Sequence, residues 1–546
     1  MRCLRNARLL MVIMLGLSLA AWGQGGSGRA GRGAAAQGPP AQQGGAGGRG
    51  AGAATGNAGN FYNYDTTASS QMAIPNAPPV ETHQKITVGG DALAYTARAG
   101  YMPLRNPTTG QTDAHLFFTS YSRDGVSDAA ARPIMFFVGG APGVAAGWQE
   151  FGGFGPKRMK WAADGSAGLP LCGWVDNPST LLGAADLVFV NPVGTGFSRP
   201  SSPASGPGFW NTSADIASLG EFVRGFLNAY ERRHSPLFLA GEDFGTGRVA
   251  GLAGYLHDRQ IPVRGALLLS ITPSADSIAG DAQSITLMPS LTLAAWHHKR
   301  LAPELQALSV EQIAEQARQF AAREYLHALY KGDRMTAEER TKAIANLARL
   351  TGLSKAFVIN NNLRISLDRF SSELLRDQHK AVSAADARAA GYLPGAGGGG
   401  GRGGGAPASA PDYFIGNLAA GFLTAYETYL RRELTFSGTG LYYLSSGGIT
   451  GFTSTGNDDA SLAGALMRNP RLRLFVGVNL FDLSAPFYAT EFTLAHLNVS
   501  PEVRTRNITV SYFEAGQMPY VDNKASVKLQ ADLIRFINAA IAPERQ

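Results

Sequence analysis

Apolar residues along the chain fall into two alternating patterns. Short continuous runs, at Pro133 to Val138, Ala185 to Asn191, Leu237 to Ala240, Gly265 to Ser270 and Leu472 to Val478, have the length of strands buried on both faces. Between them lie stretches with helical recurrence. Residues 214–232 place Ile216, Leu219, Phe222, Val223, Phe226 and Leu227 on one face, and Val249, Ala250, Leu252, Ala253 and Leu256 repeat that spacing further on. This alternation predicts an α/β class, with a mostly parallel central sheet flanked by helices. Residues 86–98 read as two short strands around a turn, 115–122 as another, Asn507 to Phe513 as the last strand and Lys524 to Ala540 as a closing helix. Residues 290–390 break the pattern. They are predominantly helical, rich in Ala, Leu, Glu, Arg and Gln, and predict a helical cap inserted between sheet strands. The expected division is a core over 86–289, a cap insertion over 290–435 containing a mobile Gly-rich loop at 394–410, and a second core part over 436–546. No internal repeat is visible.

The N-terminal stretch has a different character. Arg2, Arg5 and Arg8 precede the apolar run Leu9 to Ala21, which is too short to span a bilayer, and a cleavage zone follows near Ala21-Trp22-Gly23. A signal peptide over 1–23 is expected, a membrane anchor being the other reading. Residues 24–60 are Gly, Ala, Gln and Arg with almost no large apolar side chain, the composition of a disordered linker. No later stretch is long and apolar enough for a transmembrane helix, so the mature chain is expected to carry no integral membrane segment. The net charge of +7 is misleading, because the six arginines of residues 1–60 account for all but one of it. A nearly neutral body argues against a nucleic-acid partner. Of the two cysteines, Cys3 leaves with the signal and Cys172 is left without an internal disulfide partner. Export without disulfides points to a secreted protein of the bacterial periplasm.

The candidate chemistry centres on Gly241-Glu-Asp-Phe-Gly245, between an apolar strand and a helix start. Gly-x-Xaa-x-Gly in that setting is the nucleophile elbow of the α/β-hydrolases, where serine normally takes the central place. Here the place belongs to Asp243. Four further stretches fall in order around it: Gly139-Gly-Ala-Pro-Gly143 with Trp148 and Gly153-Phe-Gly-Pro156, Asp186 to Ser198, Phe481-Asp-Leu-Ser-Ala-Pro-Phe487, and Phe513-Glu-Ala-Gly-Gln-Met518. Together they resemble the bacterial serine carboxypeptidases, α/β-hydrolases that remove C-terminal residues from peptides, from about residue 86 to the end. The resemblance implies an α/β-hydrolase fold with a cap and a cleft for a peptide or protein C-terminus. It maps nucleophile, acid and base onto Asp243, Asp482 and Gln517. It puts the carboxylate-binding glutamate at Glu242, replaces a carboxylate-binding asparagine by Gly139, and puts oxyanion or substrate contacts at Gly140, Ala141 and the Phe244 N–H.

Acyl transfer needs a nucleophile activated by a base, and a base oriented by a third group. Gln517 can hydrogen-bond to Asp482, but an amide takes up no proton at physiological pH. Aspartate tolerates positive φ, so the elbow survives the change, and Asp243 is expected to occupy its own oxyanion hole at a helix N-terminus. Glu242, Asp243 and Asp482 should crowd together and raise at least one pKa, with a shared proton or a nearby Arg248 as relief. No ligand spacing supports a metal, and no cofactor is expected. His496 reads as structural in a helix-like run, His297-His298 as a solvated pair, Cys172 as inert, and Trp148, Trp161 and Trp174 as packing aromatics. Asn191 and Gly194 to Gly196 read as loop-shaping. Three functions stay open: a catalytically inactive homologue that retains a peptide-binding cleft, an active hydrolase using Asp243 or an unrecognised base, and a structural envelope-interaction protein acting through its Gly/Arg tail.

Overall fold

The computed structural model describes residues 74, 77–161, 173–272, 278–392, 412–438, 440–445, 449, 452–453 and 458–542, all within the unit Gly56–Gln546. The expected signal peptide, linker and Gly-rich loop, and Cys172, lie outside the described residues.

The chain enters through a hairpin. Strand β1 (Val80–Val88) turns at Gly89-Gly90, both at positive φ, into β2 (Asp91–Arg105), which pairs antiparallel with β3 (Thr112–Arg123). The body thus begins before Ile86. In β1 only Ile86 is fully buried, so this edge strand is mostly polar and carries little apolar signal. Next come β4 (Ile134–Phe137), β5 (Asp186–Val190), helix α1 (Thr212–Ala229), β6 (Leu237–Glu242), α2 (Gly245–Asp258), β7 (Val263–Leu269) and α3 (Asp281–His297). In the stretch expected to be a cap lie α4 (Val310–Phe320), α5 (Ala337–Thr351) and α6 (Tyr413–Arg432), the last of which packs on the sheet. The chain then returns through β8 (Arg473–Asn479), α7 (Phe487–Ala495), β9 (Ile508–Phe513) and α8 (Asn523–Ile541).

The strands form one sheet in the order β1-β2-β3-β5-β4-β6-β7-β8-β9, with a two-residue strand, Arg199–Pro200, beside β3. From β5 to β9 every neighbouring pair is parallel, while β1, β2, β3 and the β3–β5 junction are antiparallel. Alternate side chains of the inner strands feed two cores. Ile134, Phe136, Leu237, Leu239 and Leu268 face the core completed by α1 and α2, whereas Met135, Phe137, Phe238, Leu267 and Leu269 face the one completed by α6 and α8. Burial on both faces is why these strands read as continuous apolar runs. The fold is that of an α/β-hydrolase, as expected.

Two features differ from the sequence reading. Helix α3 starts at Asp281, so position 290 falls inside it; Ser284, Thr286 and Pro289 dilute the helical signal of its first half. The cap also holds a small hairpin, Lys380–Val382 with Ala390–Tyr392, whose three-residue strands are too short to show a period.

Candidate functional site

The elbow forms where β6 meets α2. Asp243 has φ +54, its N–H donates to Leu269 O at 3.0 Å, and its carbonyl accepts from Thr246 N at 3.0 Å. The flanking glycines are required by close backbone approach. A Cβ on Gly241 would collide with the carbonyl of Gly245, and one on Gly245 with the carbonyl of Gly139. The second contact brings the 139–141 loop against the elbow, as the sequence implies. Gly139 is at φ +76, its N–H donates to Gln149 Oε1 at 3.2 Å, and the carbonyl of Ala141 accepts from Val144 N at 2.9 Å.

Arg248, one turn into α2, locks this loop in place. Its Nη1 donates to Val138 O (3.0 Å) and Gly140 O (2.8 Å), and its Nε to Asp215 Oδ2 on α1 (2.6 Å), all buried. Arg248 therefore does not relieve the carboxylate cluster, contrary to expectation. Its charge is spent on Asp215.

Glu242, Asp243 and Asp482 do come together, and they repel one another. Glu242 takes a hydrogen bond from the Tyr520 hydroxyl at Oε2 (2.7 Å), while Oε1 is buried without a partner. Burial pushes its pKa up to about 8; the Tyr520 bond opposes this, and Asp243 and Asp482 add to it. Asp482 is fully buried. Its Oδ1 accepts from Ser484 N (2.9 Å), Ser484 Oγ (2.5 Å) and Ala485 N (3.0 Å), and Oδ2 has no partner. Its pKa rises to about 7 through burial, against the bonds from Ser484 and Ala485 and the nearby Ser270 hydroxyl and with help from Asp243. Asp243 is also raised by burial, opposed by the Thr272 hydroxyl on Oδ1 and by the Phe244 N–H. The Phe244 N–H, one donor of the expected oxyanion hole, lies near enough to Asp243 to oppose the rise of its pKa, beside the positive end of α2.

Gln517 reaches the site through its main chain. Its N–H donates to Ala385 O (2.7 Å), and its carbonyl accepts from Ser270 Oγ (3.0 Å) and Asn479 Nδ2 (3.2 Å). Its amide does not satisfy Asp482, whose free oxygen stays unpartnered, so the expected Gln517–Asp482 bond is absent. An imidazole could have supplied a ring N–H there. Among the described residues, no group of three or more His, Cys, Asp or Glu is arranged to hold a metal ion.

Sequence reasoning missed Thr272, Tyr520, Ser270, Ser484 and Asn479, which hold these groups. Tyr520 and Glu242 are 278 positions apart, and no local pattern joins them. The remaining singled-out residues are mostly packed. Trp148 stacks on Phe422 with ring centroids 4.3 Å apart, Trp161 donates to Gly152 O at 3.1 Å, and Trp174 meets Tyr429 edge-on. Asn191 receives the Ala146 N–H at 2.9 Å, fixing the loop. His496 stacks on Phe492. His297 and His298 are half-buried rather than solvated, His298 reaching Ala387 O at 2.8 Å and His297 packing on Phe481.

A cavity of about 750 Å³ opens beside the elbow, touching Thr272 and Ser484, the side chains that hold Asp243 and Asp482. Another, of about 590 Å³, lies between α4 and α8 around Arg318, Tyr512 and Lys524, and shares no residue with it. No helix among the described residues is long and apolar enough to cross a membrane.

Comparison with known proteins agrees with this architecture. The sequence model of a family described as serine carboxypeptidase matches residues 89–267. Among solved structures, Kex1, a prohormone-processing carboxypeptidase from Saccharomyces cerevisiae, is similar over 83% of this chain and 92% of its own, at 13% identity and a TM-score of 0.51. A thermostable esterase from Pseudomonas putida aligns over 88% of each chain at 11% identity, with a TM-score of 0.28. Juvenile hormone epoxide hydrolase from Bombyx mori aligns over 82% of this chain and 79% of its own at 10% identity, with a TM-score of 0.32. No curated protein matches the chain in sequence.

Proposed function

We propose that the chain is a serine carboxypeptidase-like α/β-hydrolase and that it holds peptidic ligands in the cleft beside Asp243 without hydrolysing them. The observation behind this is the elbow itself: a carboxylate, tied to Thr272, occupies the nucleophile position, and Asp482 keeps a free oxygen with no imidazole on it. A serine attacks because a base takes its proton, and the base works because an acid orients it. The neutral amide of Gln517 provides no such base. If Asp243 itself attacked a carbonyl, the resulting anhydride would still need a base to activate water for its breakdown. The Phe244 N–H, which would stabilise a tetrahedral oxyanion, has a carboxyl group beside it instead of a hydroxyl. The scaffold that would position a peptide is kept, while nucleophile and base are both missing. Residues 1–23 support export, and the absence of disulfide chemistry favours the periplasm as the place of action.

The test is release of C-terminal amino acids from N-blocked dipeptides between acidic and neutral pH, comparing the native protein with an Asp243→Ser, Gln517→His double variant. A silent native protein and an active double variant are expected. Native turnover at an enzyme-like rate, abolished by Asp243→Ala, would refute the proposal in favour of aspartate chemistry.

A further inference from the structure

Charge in the cavity beside the elbow is distributed unevenly. Much of its wall is apolar, through Ile278, Leu287, Ile365 and Leu483. Of the described residues lining it, Arg364 is the only cation and Asp281 the only anion. These two form a planar fork: Arg364 Nε donates to Asp281 Oδ1 at 2.7 Å and Nη2 to Oδ2 at 3.0 Å, with side chains 39% and 40% exposed. The elbow end is the opposite. Glu242, Asp243 and Asp482 lie behind Thr272 and Ser484 with no cation paired to them among the described residues, Arg248 being committed to Asp215.

An anionic group entering this space therefore finds its lining cation, among the described residues, at Arg364 rather than at the elbow. Nothing at the elbow compensates. Gly139 has no side chain to offer, and Glu242 is buried and engaged by Tyr520. A guanidinium presents two parallel N–H donors matched to one carboxylate, and Asp281 already fills them in that way. Half-exposed, the pair is open from the solvent side to exchange with a competing carboxylate of the same geometry. Asp281 also stands in the first turn of α3, where a negative charge remains favoured once the guanidinium is taken away.

We infer that the cavity takes a carboxylate-bearing ligand, whose carboxylate replaces Asp281 on Arg364 while its neighbouring apolar group lies along Ile278, Leu287 and Ile365. Asp281 is the internal stand-in for that ligand. This rests on the reading of the cleft as peptide-binding, and deepens it by moving the point of anion recognition from the elbow to the cap side. The carboxylate has two sources, a peptide's C-terminus or an acidic side chain.

Titration calorimetry with three N-blocked dipeptides separates them: Phe-Leu with a free C-terminus, Phe-Leu amide, and Phe-Glu amide. The native protein should bind at least one of the two carboxylate-bearing peptides about tenfold or more tighter than Phe-Leu amide, as a charge-assisted fork requires; which one is preferred identifies the source. Arg364→Gln should erase the difference, and Asp281→Asn, which empties the fork without removing it, should tighten the preferred carboxylate peptide severalfold and leave Phe-Leu amide unchanged. Equal binding of all three by the native protein overturns the inference and leaves the peptide-binding reading standing. So does discrimination that persists in a folded Arg364→Gln variant, or an Asp281→Asn variant without gain. Binding of none of the three overturns both.

Discussion

The most exposed consequence of the carboxyl cluster is the pH dependence of stability. Glu242 titrates at about 8 in the folded protein against 4.5 for an ordinary glutamate, because burial beside Asp243 and Asp482 disfavours its charge. A gap of that size is worth about 5 kcal/mol at 1.36 kcal/mol per pKa unit. The folded state binds this proton more tightly than the unfolded chain. The group's contribution is therefore fully present below pH 4.5, and it is lost as pH rises through 4.5 towards 8. Asp482, raised to about 7, acts in the same direction up to that pH. His297 acts oppositely: its pKa falls from 6.5 to about 4, so it adds stability as pH rises between those values and is flat above them. Between pH 7 and 8 Asp482 and the buried Glu150, both raised to about 7, still titrate, so Glu242 is isolated by comparison with a variant in which those two groups remain. Glu242→Gln keeps the shape and the Tyr520 bond while removing the titration. Urea denaturation at half-unit steps of pH should show the native protein losing more stability across this window than the variant, by up to about 1.4 kcal/mol per pH unit. Parallel curves for the two proteins would refute the reasoning, since Glu242 would then be ionised in the fold or open to water.

Two further substitutions test the frame of the site. Arg248→Met leaves Asp215 charged and buried and strips the carbonyls of Val138 and Gly140 of their donor, so stability should fall by about 3–5 kcal/mol, with part recovered by adding Asp215→Leu; native-like urea midpoints for the single variant would contradict the buried pair. Gly245→Ala drives a Cβ into the carbonyl of Gly139 and should cost roughly 1–3 kcal/mol or more by thermal melting, whereas Gly208→Ala, with open space around it, should leave the melting temperature unchanged; equal melting of the two variants would mean the elbow and the 139–141 loop are not in contact.

The parts of this architecture legible in the sequence are those with a local cause. The elbow announces itself because an apolar run, two glycines bracketing three residues centred on Asp243, and a helical period follow within about twenty positions. Gly241 and Gly245 carry that signal because a side chain at either would strike the backbone. The partners of the carboxyl groups were not legible. Arg248 and Asp215 are 33 positions apart on separate helices, and Thr272 approaches Asp243 from beyond the next strand. Arg248 lies close to the cluster in sequence, yet the side chain turns to α1 and to two carbonyls, a choice only the fold's geometry makes. The polar edge strand β1 escaped for the opposite reason, since the hydrophobic effect asks little of a strand with one fully buried side chain.

The position of Arg248 has a thermodynamic consequence for ligand capture. The guanidinium fastens the 139–141 loop from within the core, so the backbone against the elbow is already ordered before any ligand arrives. Association then loses little backbone freedom on that side. Whatever adjustment different ligands require is left to the cavity beside it, where the Arg364–Asp281 pair is half-exposed. Such a cleft discriminates by what its roof can rearrange, and its ligand preference should drift through changes in the cap while the elbow stays as it is.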